Sequence, residues 1–150
     1  MTLKCRLFSG DGKLEAAATS NPAHIMKGAV GDHVRKIQQA LMAIDNADIA
    51  KSEKSTKTFG DSTEKAVLRY KKDRRIINIA YQSAPDAIVG IMTMASLDKE
   101  MIKAEAQQDE LTVLSALATA FGYTPEQKTM ITNQRPLRST VDILKSNIAK

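Results

Sequence analysis

Three glycines recur at near-even intervals, each behind an apolar residue and ahead of a helix-like face. Val30-Gly31-x-x-Val34-x-x-Ile37, Phe59-Gly60-x-x-Thr63-x-x-Ala66 and Val89-Gly90-x-x-Thr93-x-x-Ser96 share one layout. Glycine admits a positive φ just before a helix, or the close approach of a neighbouring group. The apolar residue before it can staple the entry turn to a core. A threonine hydroxyl in the first helical turn can satisfy an open backbone group. A chain punctuated this way is expected to build three helices that start from similar turns.

The rest of the pattern is mainly helical. Asp32 is placed to cap a helix carrying Val34, Ile37, Leu41 and Ile44 on one face. Residues 45–58 are polar and read as a loop. Asp61 and Glu64 have the spacing of a capping box, ahead of Ala66, Val67 and Tyr70. The cationic run from Lys71 to Arg75 suits a helix C-terminus. Residues 76–81 read as an apolar connector. Met94, Leu97, Met101 and Ala104 form the stripe of a third helix running to about Gln108.

Both ends differ from this middle. Leu3, Cys5 and Leu7 alternate with charged residues, which predicts a short strand, and residues 14–18 suit either a second strand closing a hairpin or a helical turn. Beyond residue 108, a helix over Leu111–Phe121 is expected to stop at Gly122. Another is expected to start at Thr124-Pro125-Glu126-Gln127, and a last one to follow Pro136, capped at Ser139 with Val141, Leu144 and Ile148 on its stripe. The reading is a mainly α chain in three parts: an extension at 1–27, a three-helix domain at 28–108 and a helical region at 109–150.

The motifs of the middle part resemble those of the three-helix peptidoglycan-binding domain family. That family carries G-x-x-V-x-x-L-Q-x-x-L, F-G-x-x-T-x-x-A-V-x-x-F-Q and D-G-I-V-G-x-x-T-x-x-x-L. Here the first block is similar through Gly31, Val34, Ile37, Gln38 and Leu41. The second is similar through Phe59, Gly60, Thr63, Ala66, Val67 and Tyr70, and the third through Asp86, Ile88, Val89, Gly90, Thr93 and Leu97. The resemblance covers about residues 28–101. Ala87 stands where the family has glycine, Lys71 where it has glutamine, and the 74–85 connector is longer.

The resemblance implies a non-catalytic module that binds peptidoglycan of the bacterial cell wall. It implies a groove near the helix starts, built from Phe59, Gly60, Ser62, Thr63, Asp86, Ile88, Val89, Gly90 and Thr93. In such a groove, helix N-termini face wall-peptide carboxylates. Arg69, Lys72, Arg74 and Arg75 would add long-range attraction to an anionic wall. The alternative is an adaptor that keeps this fold and binds a protein partner through 109–150.

Composition narrows the choices further. The net charge of +5 favours anionic partners. Aromatics are only 4%, with no Trp, which disfavours stacked sugar platforms and single-strand nucleic-acid sites. His24 and His33 fall in no metal motif and Cys5 stands alone, so no metal, cofactor or catalytic set is expected. No apolar run is long enough for a membrane span or a signal peptide. A wall-directed role would then need synthesis in the cytoplasm and a non-classical route to the periplasm or wall.

Overall fold

The computed structural model describes residues 2–127, and the expected helix after Pro136, with Ser139, Val141, Leu144 and Ile148, lies outside them. The chain is mainly helical. Among the described residues the helices are α1 (Gly12–Thr19), α2 (Asp32–Asp45), α3 (Lys51–Thr56), α4 (Asp61–Asp73) and α5 (Ile91–Ala120), with one 3-10 turn at Asn21–Ala23. Two compact units divide between Ala104 and Glu105.

The first unit has one core. Val34, Ile37 and Leu41 of α2, Val67 and Tyr70 of α4, and Met94, Leu97 and Met101 of α5 are buried in it. The helical periods read from sequence therefore mark inward faces, each such side chain contributing about 1.5–3 kcal/mol on burial.

No strand forms among the described residues, so the expected N-terminal hairpin is absent. Residues 6–10 are turns, and Asp11 caps α1 by accepting from Lys13 N and Leu14 N at 3.1 and 3.2 Å. Leu3, Cys5, Phe8, Leu14 and Ile25 join the common core, so the expected extension packs with the helices. The Asp98 carboxylate of α5 holds the segment down, accepting from Lys4 N and Cys5 N at 2.9 Å. Leu3 and Cys5 are buried in irregular chain and not in a strand.

The three glycines do precede helices, at the starts of α2, α4 and α5. The segment 25–31 ties the turns together. Ile25 pairs with Val89, Gly28 N donates to Phe59 O at 2.9 Å, and Gly31 N donates to Lys57 O at 3.0 Å. Phe59 and Val89 are buried as staples, whereas Val30 is 57% exposed and staples nothing.

Residues 45–58, expected as a loop, contain α3. Its sequence has no apolar stripe, so tertiary contacts and not periodicity stabilise it. Asp32 does not cap α2; Gly31 does, and Asp32 instead meets Lys57 at 2.5 Å.

In the second unit, α5 continues without the expected break near residue 108. It closes at Gly122, φ 71°, with Tyr123 N donating to Ala118 O at 3.0 Å. Thr124 and Gln127 then form the reciprocal capping box that the sequence predicts.

The end of α4 carries local strain. Ile76 N donates to Lys71 O at 2.9 Å, so the closing left-handed position falls on Arg75, φ 53°. A side chain there costs about 1–2 kcal/mol relative to glycine, offset in part by glycine's greater unfolded-state entropy. Arg75→Gly is expected to raise stability by about 0.5–1 kcal/mol. A urea midpoint that stays level or falls in Arg75→Gly would contradict this account of the turn.

Candidate functional site

The two turns expected to form one groove have different fates. At the start of α4 the backbone donors are already engaged. The Glu53 carboxylate of α3 accepts from Ser62 N at 2.8 Å, Thr63 N at 2.9 Å, Gly60 N at 3.2 Å and Thr63 Oγ1 at 2.7 Å. Burial alone would raise the Glu53 carboxyl, but the Thr63 and Ser62 hydrogen bonds outweigh it and hold it at about 2. A Cβ on Gly60 would lie 2.6 Å from this carboxylate, which explains the glycine.

The capping box read at Asp61 and Glu64 does not form. No side-chain cap comes from the N-cap residue, and Lys27 instead bridges Asp61 and Glu64 at 2.5 and 3.1 Å. The side chains of this turn are engaged within the fold. Phe59 and Thr63 are fully buried. Thr63 Oγ1 also accepts from Gln38 Nε2 at 2.9 Å, and Ser62 Oγ accepts from Ala50 N at 2.9 Å. Gly60 lies under Glu53. An incoming carboxylate finds the N–H groups of Gly60, Ser62 and Thr63 committed.

The third turn is different. Asp86, Ile88, Gly90 and Thr93 border one open cleft of about 280 Å³. His24, Asn78 and Gln82 bring hydrogen-bonding groups to it, and Ile77, Ile91 and Met92 bring apolar surface. Val89 is buried in the core. Thr93 is nearly buried too, so it lines the cleft's floor.

Asp86 shapes this cleft from within. Its Oδ1 accepts from Lys71 Nζ at 2.5 Å and from Ile88 N at 3.0 Å, and its Oδ2 accepts from Gln82 Nε2. Lys71 also donates to Ile88 O at 3.0 Å. Burial works to raise the Asp86 carboxyl, but the bonds from Lys71 and Ile88 hold it below its usual value. Lys71 is therefore a buried tie between α4 and the connector, where the sequence suggested a solvated charge run. Asp86 is a turn-holding group, with no donor of its own to offer a ligand.

The cationic set separates as well. Arg74 forms a paired fork with Asp45, at 3.0 and 2.7 Å, and also binds Glu100. It stacks 3.9 Å above the Tyr70 ring centroid. Hydrogen bonding to Glu100, and then to Asp45, raises the Arg74 pKa against burial. Arg74 thus joins α2, α4 and α5 and is not available to attract a wall. Arg69 pairs with Asp73 at 3.7 Å, while Lys72 and Arg75 are exposed at the end of α4.

Sequence reasoning missed His24, whose ring covers Gly90 so that a Cβ there would lie 2.9 Å from it. No local motif marks His24, because only the fold brings the 3-10 turn beside the third glycine. Among the described residues no group of three or more His, Cys, Asp or Glu is placed to hold a metal, and no helix is long and apolar enough to cross a membrane. In comparisons with family models, curated proteins and solved structures, nothing matches this chain.

The Glu53 cap sets a pH dependence. Its carboxyl lies near 2 in the fold against 4.5 ordinarily. Its stabilisation is thus complete above pH 4.5 and lost as the pH falls toward 2. Glu53→Gln is expected to cost about 1.5–3 kcal/mol at pH 7 and to flatten the acid-unfolding curve below pH about 4.5. Circular dichroism against pH tests this, and an acid transition unchanged from the parent chain would refute it.

Proposed function

We infer that this chain is a non-catalytic module that binds bacterial cell-wall peptidoglycan. The observation that carries this reading is the cleft of the third turn. There Asp86, Ile88, Gly90 and Thr93, matched to the family's motif, border one open hollow. Its mixture of amide, imidazole and aliphatic groups suits a ligand rich in amides, hydroxyls and methyl groups, as wall peptides and their amino sugars are. Binding of this kind uses few aromatic rings, in keeping with the chain's composition.

Carboxylate capture at the start of α4 is set aside, because Glu53 occupies it. Recognition is assigned to side chains around the connector, with His24 and Asn78 as hydrogen-bonding partners. Arg69, Lys72 and Arg75 keep a long-range role that salt would weaken.

The adaptor alternative has an observation of its own in the second unit, where Val113 and Phe121 are 54% and 50% exposed. Exposed apolar side chains on a helix suit a protein partner. A partner that co-purifies in stoichiometric amount and protects residues 109–150 from exchange would favour it.

Co-sedimentation with purified sacculi tests the main reading. The full chain is expected to pellet at low salt. Met92→Arg places a bulky charge at the cleft mouth, where Met92 is half exposed, and is expected to reduce the bound fraction about tenfold without unfolding the chain. A folded parent chain that stays in the supernatant would sink the proposal. Equal pelleting of Met92→Arg would remove this cleft from it.

A further inference from the structure

Many cations of the first unit are engaged by carboxylates of the same unit. Lys27 meets Asp61 at 2.5 Å, Lys36 meets Asp11 at 3.1 Å, and Arg74 meets Asp45 at 2.7 Å. One region departs from that pattern. An open groove of about 440 Å³ runs between α2 and α3. Arg35 stands on its α2 wall, Lys51 and Lys54 on its α3 wall, and Lys57 at the end of α3. Among the described residues no carboxylate lines it. Asp32 meets Lys57 at 2.5 Å and feels Arg35, so it answers only part of this charge.

Like charges gathered along a groove repel one another, and a bound anion turns that repulsion into attraction. The placement is built into the backbone. Lys51 and Lys54 are one helical turn apart and share a side of α3. Lys57 follows in the left-handed conformation, φ 54°, where glycine would sit without strain. A lysine there keeps an ammonium at the groove's end.

A second observation is independent of charge. Gln38 lines the groove and is 1% exposed. Its Nε2 donates to Thr58 O and Thr63 Oγ1, both at 2.9 Å. Because the Thr58 carbonyl can only accept, these bonds fix which end of the amide is nitrogen. Gln38 Oε1 is left buried with no hydrogen-bond partner among the described residues. Such an acceptor calls for a donor, and an alcohol hydroxyl is one. Ser55 and Gln39 add polar groups beside it. Among the described residues no aromatic ring lines the groove, which disfavours a stacked nucleobase.

We propose that the α2–α3 groove binds a small phosphorylated sugar or polyol. Lys51, Lys54 and Arg35 hold the phosphate, and a hydroxyl of the carbon frame donates to Gln38 Oε1 once the side chains covering that oxygen shift aside on binding. This site is separate from the cleft of the third turn and does not rest on wall binding.

Calorimetric titration of the full chain with glucose 6-phosphate at low salt tests the proposal. Saturable binding is expected, weakening as ionic strength rises. The double variant Lys51→Ala/Lys54→Ala, checked for unchanged helicity, is expected to bind about tenfold or more weakly. Lys99→Ala/Lys103→Ala removes the same charge elsewhere on the surface and is expected to bind as the parent does. Inorganic phosphate is expected to bind more weakly than the sugar phosphate, because it lacks the carbon frame's hydroxyls. Absence of binding, or equal loss in both double variants, overturns the site. Equal affinity for inorganic phosphate overturns the hydroxyl contact. Tighter binding of a short duplex DNA, lost in the Lys51/Lys54 variant, replaces the sugar phosphate with nucleic acid and overturns the proposal.

Discussion

The Glu53 carboxylate reaches from α3 to the start of α4 and accepts there from Gly60, Ser62 and Thr63. These are orphan donors of a helix N-terminus, so a group outside the helix does the work of a cap. Thr63 passes the connection on, since its hydroxyl donates to Glu53 and accepts from Gln38 of α2. Three helices are held by one chain of polar contacts. The short, wholly polar α3 has no apolar face of its own, and this carboxylate gives it a reason to stay folded. The same contact closes the start of α4 to an outside anion. A feature that resembles a binding turn in sequence thus becomes an internal joint.

The glycine turns act together because the segment 25–31 lies against two of them. Its backbone exchanges bonds with Val89 on one side and with Phe59 and Lys57 on the other. These pairings satisfy groups that the loops would otherwise bury without partners. They also set His24, just ahead of the segment, over Gly90, as Glu53 is set over Gly60. His33 lies similarly close to Gly31. Each glycine therefore makes room for a side chain from elsewhere in the fold or from the following turn. At Gly31 a positive φ of 141° is needed as well.

Much of the helical frame was legible because it rests on periodicity. Val34, Ile37 and Leu41, or Met94, Leu97 and Met101, lie inward as their spacing requires. What was hidden depends on contacts distant in sequence. Leu3 and Cys5 alternate like a strand, but Asp98 captures their backbone region in irregular chain. Asp61 and Glu64 have capping spacing, but Lys27 draws both outward and Glu53 takes the donors. Of the expected site, Asp86, Ile88, Gly90 and Thr93 come to one cleft because a single short stretch carries them. Phe59 and Thr63 sit in the core, since the apolar-Gly-x-x-Thr layout is first a way to start a buried helix.

Charge illustrates the same difference between composition and placement. The run from Lys71 to Arg75 is the densest cationic stretch, and a linear reading puts anion attraction there. In the fold, Lys71 is tied to Asp86 and Arg74 to Asp45 and Glu100, so two of its cations are structural. Arg35, Lys51 and Lys54 are spread along the chain and draw no notice in sequence, yet α2 and α3 bring them to one groove. An anion responds to the local field and not to the density of basic letters. Among the described residues the groove lacks lining carboxylates, and it holds a buried acceptor in Gln38. By that measure the α2–α3 groove is better placed than the end of α4 for an anionic ligand.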